Sequence, residues 1–286
     1  MLPSRVLRFI FREISWKIEA MRVFIPIVFA STLFLHPVSG FAVQGKSCFL
    51  LFEIGAGQIL RRPADACRTR VTPASTFKVP HALAALDAGV VSGPDEVMPF
   101  AGGDEWPVSA RRDHTLASAM RHSVLWYFQR IAERLGPARE TAYLQRFGYG
   151  NMDATSELTR FWIGGSLRVS PEEQQAFWLK LYRNQLPVSA RAVEQVKAML
   201  IQPTGVIVNA AGEQPFGGPW PQTTTVSAKT GSASDRSGQA VRWLAGHVKK
   251  GSRTFVFVSC VIGTRDVAAN AAIDLAARSL REAGVL

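Results

Sequence analysis

Ser75 and Lys78 stand three residues apart in Pro73-Ala74-Ser75-Thr76-Phe77-Lys78. The stretch reads as the start of a helix, which puts both side chains on one face. A serine hydroxyl attacks a carbonyl carbon only when a neighbouring base removes its proton. A lysine supplies that base only if its charged form is disfavoured, by burial or by chemical change of the amine. Phe77 and Val79 offer the apolar surroundings this needs. Alone, the pair reads more simply as an N-capping serine beside a solvent-facing lysine, since chance places about one Ser-x-x-Lys in a chain of this length.

Two later segments carry complementary groups. Ser123 lies in Ser123-Val124-Leu125, within a helical pattern that includes Trp126 and Tyr127. Its hydroxyl can relay a proton to a leaving nitrogen if a bend turns it towards Ser75; otherwise it bonds back to the preceding turn. Lys229-Thr230-Gly231 ends a strand rich in small and β-branched residues. The lysine offers a positive charge, the threonine a hydroxyl, and the glycine room for a ligand against the backbone. In isolation the same tripeptide is a strand end turning into solvent. Tyr149 reads as a substrate-facing ring or as packing, and Trp106 as the mouth of a cleft or as core. Together these residues equip a chain to open an amide through an acyl-enzyme.

The elements that must position them are legible in outline. Cys48 to Ile54 and Gln58 to Leu60 read as a strand pair across Gly55-Ala56-Gly57. Helical spacing runs from Ser75 to Leu86 and stops near Gly89, with Pro80 tolerable only in the first turns. A second helix is expected over Leu116 to Leu135, stopped by Gly136-Pro137. Ser170-Pro171-Glu172-Glu173 is a capping-box start, and a further helix is expected over Ser189 to Leu200. Thr223 to Lys229, Ala240 to Val248 and Thr254 to Ile262 read as strands, followed by a helix from Val267 to Arg281. Strands at both ends with helices between predict an α+β protein: one antiparallel sheet sewn from N- and C-terminal segments, plus a mainly helical lobe. The cleft between them is the natural place for a site.

The 286 residues are 47% hydrophobic, enough for one substantial core or two lobes sharing a cleft. Residues 1–42 read as a secretory signal, with an apolar stretch from Val23 to Leu35 after Arg22 and cleavage expected after Ala42. Met21 is an alternative start, and an uncleaved membrane anchor is the rival reading. The apolar stretch is short for a membrane span, so no stable span is expected once the signal is removed. The mature domain is then 43–286, in the periplasm or secreted. Its sequence does not fix an oligomeric state. The net charge of +11 is scattered rather than grouped into a nucleic-acid motif, so no nucleic-acid partner is expected. Cys48 and Cys67 flank the first hairpin and would meet an oxidising compartment, although spacing leaves their pairing open. Cys260 reads as a buried thiol. The five histidines form no zinc-binding pattern, so no metal is expected.

Taken in order, Ser75-Thr76-Phe77-Lys78, Ser123-Val124-Leu125, Tyr149-Gly150-Asn151, Phe161-Trp162-Ile163 and Lys229-Thr230-Gly231 resemble the penicillin-interacting serine enzymes. They are most similar to the class D serine β-lactamases, the oxacillinase group. The resemblance covers essentially the whole mature chain and implies that family's two-lobed fold, hydrolysis of penicillins, and antibiotic resistance. It implies Ser75 as the acylated nucleophile and Lys78 as a general base carried as an N-carboxylated side chain made from carbon dioxide, with no other cofactor. Trp162 would steady that carbamate, and Ser123 would pass protons to the β-lactam nitrogen. Lys229, Thr230 and Arg265 would face the substrate carboxylate, while Ala233 or nearby backbone would give the second oxyanion N–H beside that of Ser75. Leu125 departs from the valine most relatives carry over the modified lysine, an added methylene that bears on water access. Two other functions fit parts of the pattern: a non-turnover penicillin-binding sensor domain and a cell-wall D,D-peptidase.

Overall fold

In the computed structural model, described over residues 45–63, 65–234 and 238–286, five antiparallel strands form one sheet. The expected leader, residues 1–42, lies outside the described residues. Strands β1 (Gly45–Glu53) and β2 (Gly57–Arg62) come from the start of the domain, and β7 (Thr224–Ser234), β8 (Ala240–Lys250) and β9 (Arg253–Gly263) from its end. Their spatial order is β2-β1-β9-β8-β7, so the chain's two ends meet where β1 pairs with β9. Between them lie α1 (Lys78–Asp87), α2 (Leu116–Arg121), α3 (Leu125–Phe147), α4 (Pro171–Tyr182) and α5 (Ala190–Met199). Two short strand pairs, β3 (Val97–Met98) with β4 (His114–Thr115) and β5 (Val206–Asn209) with β6 (Gly212–Pro215), were not evident from the sequence. Helix α6 (Ala271–Glu282) closes the chain, beginning four residues later than expected.

Both faces of the sheet are covered, which explains why β9 reads as an unbroken apolar run rather than an alternating one. Side chains alternate across a strand. Phe255, Phe257 and Val261 belong to a core with α6, through Ile273, Ala276 and Leu280. Val256, Val258 and Cys260 belong to the opposite core, with α1, α3 and α4. A disulfide joins Cys48 to Cys67 and so fixes β1 to the segment leading into the nucleophile turn, while Cys260 is a buried free thiol.

Side-chain caps mark the starts of α2, α4 and α5. Ser170 accepts from the Glu173 backbone N–H, and the Glu173 carboxylate accepts from Ser170, a closed capping box with Pro171 in the first turn. Pro80 occupies the third position of α1, within the first turn, where proline is tolerated.

The helix expected over Leu116 to Leu135 is divided. It ends at Arg121 and restarts at Leu125, and between them Ser123 adopts a left-handed φ of 58°. The Val124 N–H donates to Ala119 C=O and the Ser123 N–H to Met120 C=O, the paired bonds of a Schellman ending. Such endings favour glycine, so a serine there costs about 1–2 kcal/mol of backbone strain. Gly136, at φ 73° and ψ 164°, stops that helix as expected; a second helix follows at once from Pro137 to Phe147, and the two together make up α3.

Candidate active site

The nucleophile turn is a 3-10 helix, Ala74–Phe77, running directly into α1. Three bonds hold it from outside. The Ala74 N–H donates to Trp162 C=O at 3.0 Å, the Thr72 hydroxyl donates to that carbonyl at 2.8 Å, and Trp243 Nε1 donates to Thr72 C=O at 3.0 Å. Ala74 itself is left-handed, at φ 49°. Strain of this kind persists where the surroundings over-determine it. The outcome is a half-buried Ser75 on an otherwise buried segment.

Lys78 Nζ stands 2.8 Å from Ser75 Oγ, with the side chain 1% exposed. Burial alone lowers its amine from 10.5 to about 7. The nitrogen lies 5.4 Å from the centroid of the Phe128 ring, a weak cation-holding contact in place of a carboxylate. Trp162 is fully buried, packed against Phe77 at 5.6 Å and edge-on to His81 at 5.4 Å. Its indole N–H has no hydrogen-bond partner in the structure. A buried donor without an acceptor is unfavourable by about 1–3 kcal/mol.

Across from this pair, Lys229 Nζ donates to Ser123 Oγ at 2.9 Å and to Thr230 C=O at 3.2 Å. Burial, and then the charge of Lys78, hold the Lys229 amine well below its ordinary value. The left-handed turn at Ser123 is therefore the bend that carries its hydroxyl out of the helical path to the strand lysine. Lys229-Thr230-Gly231 does not end its strand, because β7 continues to Ser234. A Cβ on Gly231 would come within 2.9 Å of Pro73 O and 3.2 Å of Thr76 N, so glycine is what lets β7 lie against the nucleophile turn.

A cleft of about 300 Å³ joins these parts; Ser75, Lys78, Ser123, Leu125, Thr230 and Gly231 form one side of it. Trp106, 76% exposed, stands at its mouth, which settles the choice between mouth and core.

Three expected substrate contacts fall elsewhere. Tyr149 is fully buried, its ring 5.9 Å from Phe77 and 5.2 Å from Phe177, and burial pushes its phenol upward. It packs under the nucleophile turn rather than facing substrate. Arg265 is exposed beside Gly238 and does not line the cleft. Ala233 is ruled out by register. In an antiparallel pair, successive residues point their backbone groups to opposite sides. The Ala228 N–H donates to Leu200 C=O and Val226 C=O accepts from Gln202, so even-numbered residues face the free edge of β7. Ala233 therefore faces its partner Val241 on β8, and the N–H turned to the cleft belongs to Ser232, which does line it. Sequence reasoning offered Ala233 or nearby backbone for this N–H without singling out Ser232. It missed the β5–β6 turn at Ala210 and Ala211 and the start of α6, which form the opposite wall.

Fold and site together define a penicillin-interacting serine enzyme. A family model described as the penicillin binding protein transpeptidase domain matches residues 56–281. The chain is 32% identical over 227 residues to the probable β-lactamase YbxI of Bacillus subtilis, across 79% of this chain and 78% of that protein. It is 42% identical over 134 residues to β-lactamase OXA-48 of Klebsiella pneumoniae, an alignment spanning 46% of this chain and 51% of that one. A solved class D β-lactamase structure from Bacillus subtilis matches with a TM-score of 0.73 at 30% identity, covering 85% of this chain and 93% of that one. The chain belongs to the class D serine β-lactamases.

Proposed function

We propose that this class D serine β-lactamase, a hydrolase of the β-lactam amide, turns over penicillins through an acyl-enzyme on Ser75, with N-carboxylated Lys78 as general base. The observation that carries the reading is the buried pair itself. Lys78 Nζ lies 2.8 Å from Ser75 Oγ with an amine lowered to about 7, in a core that leaves the Trp162 indole N–H without an acceptor. An amine near 7 is substantially unprotonated at neutral pH, the form that captures carbon dioxide. The residues fit that group: Lys78 would carry it, and Trp162 Nε1 would donate to it. A carbamate supplies an anionic oxygen base where the bare amine is a neutral nitrogen.

The chain's own groups divide the remaining work. Ser75 Oγ attacks the carbonyl carbon, and its own N–H with that of Ser232 faces the developing oxyanion. Ser123 Oγ gives its proton to the departing ring nitrogen and is replenished from Lys229 Nζ, its neighbour at 2.9 Å. Lys229 and the Thr230 hydroxyl offer charge and a hydrogen bond to the substrate carboxylate. Leu125, half-buried at the start of α3, lines the same cleft as Lys78 and bears on water access to it.

Steady hydrolysis of a chromogenic cephalosporin, with and without added bicarbonate, tests the reading. Turnover should rise with bicarbonate, and Lys78→Ala should trap the acyl-enzyme. A single stoichiometric burst would make the protein a sensor, and cleavage of D-alanyl peptides in its place would make it a peptidase. Rates that ignore bicarbonate and survive Lys78→Ala would remove the carbamate.

Export to the periplasm or beyond belongs to the same proposal. It is supported by the apolar leader and by the disulfide between Cys48 and Cys67, which an oxidising compartment maintains. Sequencing the N-terminus of protein recovered from the periplasm should give Val43.

A further inference from the structure

Thr76, the residue after the nucleophile, is wholly buried, and its hydroxyl is bonded on both sides. It donates to Pro73 C=O at 2.7 Å and accepts from Gln174 Nε2 at 2.6 Å. Gln174 is also wholly buried and does not line the cleft. It is the fourth residue of α4, placed by the Ser170–Glu173 capping box, and stands 98 positions along the chain from Thr76. The Tyr149 phenol is turned to the same two side chains, without a hydrogen bond of ordinary geometry to either. None of these groups takes part in the bond-breaking steps at Ser75, Lys78 and Ser123.

A primary amide in an apolar interior is unfavourable unless its groups are bonded, and a methionine of similar length would fill the space without that penalty. The bond to Thr76 gives the amide a physical reason. A hydroxyl has one proton and two lone pairs. With Gln174 Nε2 donating to it, the Thr76 hydroxyl turns its own proton to Pro73 C=O. That carbonyl also accepts from the Thr76 N–H at 3.2 Å, so the turn from Pro73 to Thr76 is closed twice. Ala74 and Ser75 lie inside it. Ala74 holds its left-handed φ of 49°, a conformation kept only where the surroundings over-determine it. The Ala74–Ser75 peptide carries the Ser75 N–H, one of the two donors facing the oxyanion. The Pro73 carbonyl lies against Gly231, one residue before Ser232, which carries the other.

We infer that Gln174 and Thr76 are positioning residues for the oxyanion donors: acting through Pro73 C=O, their bond fixes the tilt of the Ala74–Ser75 peptide and its spacing from β7. The inference rests on the reading that Ser75 is acylated. It goes beyond that reading by giving a buried side chain of α4 a part in the rate and none in substrate binding. Oxyanion donors act on charge that develops only during attack, so a misaimed donor slows acylation and leaves ground-state affinity nearly unchanged.

Stopped-flow acylation by benzylpenicillin, resolved into the dissociation constant and the acylation rate constant that follows it, separates the two. Thr76→Val removes the hydroxyl and nearly keeps the shape, while Thr76→Ser keeps the hydroxyl. Thr76→Val and Gln174→Met should each lower the rate constant on the order of 10–100-fold and leave the dissociation constant within about threefold. Thr76→Ser should hold the rate within about threefold of the unsubstituted protein, and Thr76→Val/Gln174→Met should lose no more than the larger single loss, because both act on one bond. Gln174→Glu serves as a second variant at that position. Its carboxylate accepts where the amide donates, so the Thr76 proton turns away from Pro73 and the rate should fall as it does in Gln174→Met. A packing role would lower thermal stability and leave the acylation rate of the folded protein unchanged, a result that would overturn the inference. So would equal losses for Thr76→Ser and Thr76→Val, or losses that multiply in the double variant. Absence of any acyl-enzyme on the unsubstituted protein, read by mass, would remove the proposed function and this inference together. Acyl-enzyme formed at full rate by the variants would remove this inference alone.

Discussion

Lys229 Nζ lies 2.9 Å from Ser123 Oγ although the two residues are 106 positions apart in the chain. The contact exists because Ser123 occupies a left-handed position that ends α2, where glycine is the residue without strain. Backbone stability and proton delivery therefore pull in opposite directions at this position. Ser123→Gly should raise stability by about 1 kcal/mol in urea unfolding while lowering kcat/KM by about 10²–10⁴. A Gly variant that is both more stable and fully active would remove Ser123 from the mechanism.

Gly231 couples the sheet to the nucleophile. Any Cβ there meets Pro73 O at 2.9 Å and Thr76 N at 3.2 Å, both backbone atoms that cannot swing aside. Gly231→Ala should push β7 away from Ser75 and separate the two oxyanion donors. A misplacement of about 1 Å lowers the rate about 10²-fold. The acylation rate measured by stopped flow should show this loss while thermal stability changes little by comparison.

What the sequence made legible was what sequence-local chemistry decides. Ser170 with Glu173 announces α4, and Ser75 with Lys78 lie one helical turn apart whatever surrounds them. The break at Ser123 was not legible, since 116–135 carries helical periodicity and no glycine or proline before Gly136. Tertiary contact with Lys229 selects the left-handed serine. Tyr149 misled for a related reason: it sits in a loop, where aromatics often face solvent or ligand, yet Phe77 and Phe177 enclose it. Ala233 failed on register, because a one-residue shift along a strand reverses the direction of every N–H.

Burial of Lys78 makes stability depend on pH in a definite direction. Its amine falls from 10.5 in the open chain to about 7 when folded, so between those values the unfolded state holds the extra proton. Stability then rises with pH across that window and carries the full penalty below it. At about 1.4 kcal/mol per pH unit, the penalty is of order 5 kcal/mol. Lys229, shifted the same way, adds to the slope and remains when Lys78 is replaced. In bicarbonate-free buffer at pH 6, Lys78→Met should melt at least about 5 °C above the unsubstituted protein. The gap should close as pH approaches 10. An equal gap at both pH values would show that the lysine is not buried in its neutral form.

Under the active site, His81 Nε2 and Glu140 Oε1 meet at 2.6 Å with both side chains almost wholly out of water. The pair ties α1, one turn beyond Lys78, to the part of α3 that follows the Gly136 interruption, and the His81 ring supports the Trp162 edge at 5.4 Å. Removing one partner leaves the other buried with nothing to bond, a loss of about 3 kcal/mol for Glu140→Ala. Replacing both by leucine removes both desolvation penalties and should restore stability to within about 1 kcal/mol. The double variant then separates support from chemistry. If the pair matters by holding Trp162 in place, the refolded His81→Leu/Glu140→Leu protein should need more bicarbonate for half-maximal turnover. A bicarbonate requirement equal to that of the unsubstituted enzyme would confine the pair to holding two helices together.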